Sequence, residues 1–241
     1  MRKDGSSQRV DVAVSGETVV IAELGTTLVA VTAVALGGSA AGVAAVRCAR
    51  RCFGVSLHPA AAIAVCAAVG AVLVLRVGSS AYAAPLLAFG WAGVMISGID
   101  LRTHLIPTRL LRATSVGAVV LLCAAAAIEG GLPGLGDTAV AAAIGGLAGW
   151  GLMRVIWLAS RGSLGYGDVR LGGYLGLHLG LGGLMTVLTG LLAGFALAAV
   201  VGAIGIVVAG RSTDHRFALG PSLVAGALAV IWWSVPAGLS V

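Results

Sequence analysis

The chain has 241 residues, of which 59% are hydrophobic and only 10% are charged, and its mean hydropathy is +1.06. Soluble domains carry about a quarter charged residues, so this composition excludes a soluble globular protein and predicts an all-α, polytopic transmembrane helix bundle. The net charge of +6 does not mark a nucleic-acid binder, because the basic residues sit in short loops between apolar runs, where they set topology.

Residues 1–17 are polar and mixed in charge, and read as a disordered or surface-lying tail. Residues 18–241 form a single transmembrane domain, with no polar stretch long enough for a second one. The first apolar run, about 19–46, is too long and too far from the terminus for an ordinary signal peptide, so it is expected to be a retained span. Its small residues around Gly37 to Gly42 suit close helix packing in lipid.

Further spans are predicted at about 57–75, 81–99, 110–128 and 138–159, with a loop from Glu129 to Asp137. Residues 171–209 are apolar throughout but interrupted at Gly180, Gly182 and Gly183. At about 1.5 Å per residue they are too long for one crossing and suit two short ones. A last span is expected at about 218–237. The total is about seven to eight spans. With two crossings over 171–209, Arg47/50/51, Arg102/109/112, Arg154/161/170 and Arg211/216 share one side. That side should face the cytoplasm, with both termini outside.

The four cysteines, Cys48, Cys52, Cys66 and Cys123, lack the paired spacing of a structural zinc site. Neither a metal nor a cofactor is expected.

Nine carboxylates are present. Asp4, Asp11 and Glu17 belong to the tail, Glu23 opens the first span, Glu129 and Asp137 bound an outer loop, and Asp214 lies among basic residues. Asp100 and Asp168 remain, each flush with the cytoplasmic end of an apolar run, with two crossings between them. A carboxylate there is costly and calls for a reason. Two held close share a proton: the ionised one activates water and the protonated one polarises a carbonyl. Such a pair cleaves peptides without metal. The plainer reading is that each Asp marks a helix end. Gly165-Tyr166-Gly167 before Asp168, and Ile106-Pro107 after Asp100, imply specially shaped backbone and favour the pair. No Gly-x-Ser-x-Gly elbow or His-Glu-x-x-His pair competes.

These residues resemble the type IV prepilin peptidases, membrane aspartic peptidases with a Gly-x-Gly-Asp motif. The likeness rests on Gly165-Tyr-Gly167-Asp168-Val-Arg170-Leu, on Asp100-Leu-Arg-Thr-His-Leu-Ile106-Pro107, on Leu219-Gly220-Pro221, and faintly on Gly38-Ser39 with Arg47. It implies catalysis by Asp100 and Asp168, supported by Gly165, Gly167, Arg170, Ile106, Pro107, Gly220 and Pro221. It also implies a prepilin or pseudopilin substrate, cleaved at the cytoplasmic face of the inner membrane before its apolar helix. Thr108 stands where the family has Asp or Asn. The cysteine-rich insertion associated with N-methylation has no counterpart after the first span, so peptidase activity alone is expected. A presenilin-like protease also uses Gly-x-Gly-Asp, but its Pro-Ala-Leu motif is absent near the C-terminus. A small transporter using the two Asp residues as ion sites is the non-enzyme alternative.

Overall fold

The computed structural model describes residues 5–78, 80–161, 163–209 and 218–234. Among them the regular structure is helical: α1 (Gly5–Phe53), α2 (Pro59–Val77), α3 (Ala83–Thr103), α4 (Thr108–Ala159), α5 (Tyr166–Leu179), a 3-10 turn (Gly180–Gly182), α6 (Leu184–Ala209) and α7 (Gly220–Ser234). Among the described residues, five helices are long and apolar enough to cross a membrane: Leu28–Phe53, α2, α3, α4 and Leu184–Val207. Leu132, Ile128, Val207 and Trp233 are among many large apolar side chains exposed on the outside, a surface suited to lipid rather than water.

Two expectations need correcting. The backbone is helical from Gly5, so residues 5–17 belong to α1 instead of forming an unstructured tail. The expected loop from Glu129 to Asp137 is helix on both sides of one residue, Gly131, at φ 61° and ψ −154°. Only glycine adopts that backbone readily. Pro133 follows within the first turn of the new helix, where its missing N–H costs little.

At Gly131 the chain turns back on itself. A straight 24-residue stretch of helix would separate Val119 from Ala143 by about 36 Å, yet both line one small cavity with Leu122, Ala139 and Ala142. Counting the two halves of α4 separately, the described residues hold eight helical segments, and contacts between their ends make successive segments run in alternating directions. Gly38 and Gly42 of α1 meet Ala67 and Ile63 of α2. Gly149, Gly145 and Ala141 of α4 meet Gly172, Gly176 and Gly180. Gly93 and Asp100 of α3 meet Val224 and Gly220 of α7. The glycine interruption expected within 171–209 is a reversal at Gly183, where φ is 89°.

Glycine decides the α4–α5 seam. A Cβ on Gly176 would collide with the Gly145 carbonyl, and one on Gly149 with the Gly172 carbonyl. The helices touch backbone to backbone, as small residues permit in lipid. Gly172 and Gly176 thus serve neighbouring-helix packing. The core beside this seam is apolar, with Phe89, Ile96, Ile99, Leu171, Leu175 and Leu223 fully enclosed. It fixes the ends of α3, α5 and α7 against each other.

Candidate active site: an aspartate pair at one end of the bundle

Helix α3 ends because His104 takes a left-handed conformation, at φ 51°, and its N–H closes on the Asp100 carbonyl at 2.8 Å. Ile106, preceding a proline, is biased to extended backbone. Pro107 at φ −66° and ψ 118° then caps α4. The Asp-x5-Ile-Pro segment is therefore one helix stop, one extended link and one helix start. Asp100 lies four residues before the stop and is only 4% exposed.

Its carboxylate is met by the first residue of α7: the Gly220 N–H donates to Asp100 Oδ2 at 2.9 Å. A Cβ on Gly220 would lie 2.8 Å from the same oxygen, so this close approach requires glycine. The amide is one of the four at a helix N-terminus with no partner inside the helix. Pro221 follows in the first turn, where proline is tolerated, and lines an apolar cavity of about 430 Å³ with Leu57, His58 and Arg102.

Asp168 occupies the first turn of α5, capped by Gly165. The Asp168 N–H donates to the Gly165 carbonyl at 3.0 Å, and the Gly165 N–H faces the Asp168 carboxylate in return. This is the reciprocal logic of a capping box, with glycine at the cap. A Cβ on Gly165 would approach Asp168 Oδ2 at 3.0 Å. Gly167 packs on the other motif, since a Cβ there would meet the Ile106 Cβ at 3.1 Å. The two carboxylates lie within electrostatic range of each other.

Arg170 ties the two segments together. Its guanidinium donates to the Thr108 hydroxyl and lies 4.8 Å from the Tyr166 ring centre. Tyr166, between the two motif glycines, also meets Trp157 edge-on at 5.7 Å and the Arg154 guanidinium at 5.5 Å. Sequence reasoning did not find this clamp, which spans α4 and α5. The signal available was a basic or aromatic residue every three to four positions near the end of α4, at Arg154 and Trp157.

The structure thus brings together Asp100, Asp168, Gly165, Gly167, Arg170, Ile106, Pro107, Gly220 and Pro221 at one end of the bundle. Of the same-side basic group, Arg211 and Arg216 lie outside the described residues, as do Asp214 and His215. Gly38, of the faintest motif, is used for packing: a Cβ there would lie 2.7 Å from the Ala67 Cα of α2. Comparison of the chain with protein-family models, curated proteins and solved structures gave no match.

Proposed function

We propose that the chain is a membrane aspartic endopeptidase that removes the leader of type IV prepilins or pseudopilins. The observation that carries the reading is the convergence of three sequence-distant motifs on two neighbouring carboxylates. Asp100 accepts the Gly220 N–H, Gly167 packs on Ile106, and Arg170 reaches Thr108. Helix ends alone do not require that arrangement.

In this reading the eight alternating segments are eight crossings of the inner membrane. The arginine-rich end holding Asp100 and Asp168 faces the cytoplasm, and both termini lie outside. One carboxylate, ionised, takes a proton from a water that attacks the scissile carbonyl carbon. The other, protonated, donates its hydrogen bond to the carbonyl oxygen. Collapse of the intermediate breaks the C–N bond, and the amine leaves with a proton from the pair. No metal or cofactor is invoked.

Only residues 54–58 link α1 to α2, which leaves no room there for a methylation-associated domain. The expected product is pilin trimmed before its apolar helix and carrying no N-methyl group. Co-expression with a model prepilin, followed by mass spectrometry of the pilin, tests this. Untrimmed pilin alongside well-folded enzyme would overturn the peptidase reading, and a methylated N-terminus made by this chain alone would overturn the peptidase-only claim.

A further inference from the structure

We propose that a groove beside the aspartate end binds an anionic glycerophospholipid, with its phosphate on Arg112 and Arg170 and an acyl chain along α4 and α5. The groove, of about 940 Å³, runs between the two halves of α4 and the outer face of α5. Its mouth carries Thr108, Arg112 and Arg170, and its floor includes Val116, Leu147 and Leu177.

Polarity is graded along its length. From Arg170 to Leu177 is seven helical residues, or about 10 Å, over which the lining passes from guanidinium to aliphatic. The lining holds two guanidiniums and no carboxylate, so its charge complements an anion. Arg170 is already oriented by Thr108 and Tyr166, while Arg112 is exposed at the mouth. Leu147 and Val116 are 69% and 66% exposed, and so present a ready apolar surface. The charged mouth lies at the arginine-rich end, and basic pockets between spanning helices on the cytoplasmic side bind acidic headgroups. A neutral lipid would fill the floor but leave the guanidiniums without a counter-charge. This inference rests on membrane insertion and not on peptidase activity.

Native mass spectrometry of the purified full chain tests it, with dioleoyl phosphatidylglycerol and dioleoyl phosphatidylcholine added at equal concentration. Wild type is expected to retain one phosphatidylglycerol in preference. Arg112→Gln should weaken that preference about fivefold, and Arg112→Lys should restore most of it. Leu147→Trp, which fills the exposed floor without touching the core, should lower retention of phosphatidylglycerol. Equal retention of the two lipids would overturn the proposal, as would a preference that survives both Arg112→Gln and Leu147→Trp. A groove covered instead by a second copy, seen as a lipid-free dimer in the same spectra, would also overturn it.

Discussion

The two ends of the bundle each hold a carboxylate against a helix start, and they use it differently. At the end where α2 meets α3, Glu129 accepts the Ser80 hydroxyl at 2.6 Å and the Ala81 N–H. One of its oxygens takes two donors from the chain segment that leads into α3. Nearby, Tyr82 and Thr138 pair their hydroxyls at 3.1 Å. At the other end, Asp100 accepts the Gly220 N–H and lies within electrostatic range of a second carboxylate, Asp168. Glu129 fastens a turn with two donors on one oxygen, whereas Asp100 takes one donor and lies within electrostatic range of a like charge. The same functional group is structural where donors surround it and suited to chemistry where another acid does.

The largest expected effect falls on the pair. Asp100→Asn and Asp168→Asn should each cut leader removal at least about a hundredfold, the lower range for loss of a general acid or base, while the protein stays folded. Next is the seam that holds α5 in place. Gly176→Leu would drive a side chain into the Gly145 carbonyl. It should lower yield and thermal stability, by about 3 kcal/mol, the upper end for overpacking a close-packed interior. Circular dichroism melting in detergent would measure it.

A smaller effect is expected at Gly220→Ala, whose Cβ would crowd Asp100 Oδ2. It should slow cleavage by about tenfold, close to 1.4 kcal/mol, with little change in melting temperature. Glu129→Gln should do the reverse: it weakens a charge-assisted hydrogen bond, costs about 1 kcal/mol of stability and leaves cleavage per folded molecule unchanged. If Glu129→Gln abolished cleavage and Gly220→Ala only lowered stability, the contrast between the two ends would fail.

Much of the site was legible because its residues break local rules. Asp168 follows Gly-x-Gly inside apolar sequence, and Asp100 precedes Ile106-Pro107, so charge and backbone irregularity marked both. Elimination among nine carboxylates then paired them. The donor to Asp100 was not legible, because Gly220 is 120 residues away and only the packing of α7 on α3 brings its amide to the carboxylate. The Tyr166 clamp was hidden because the packing of α5 on the end of α4, and no motif, brings its rings and guanidiniums together. In the fold, the sequence predicts a longer loop, Glu129 to Asp137, where the structure has a turn at Gly131 alone. Its signal was Gly130-Gly131 followed by Pro133, which reverses the chain at one residue without ending helix on either side. Interruption of 171–209 at its glycines was legible because no residue but glycine takes φ 89° readily.

The most direct measurement is cleavage of a purified prepilin by the reconstituted chain, comparing wild type with Asp100→Asn, Asp168→Asn and Glu129→Gln. Leader removal is expected from wild type and Glu129→Gln, and none above background from either Asn variant, with all four proteins folded. Leader removal that survives Asp100→Asn or Asp168→Asn in a folded protein would contradict it.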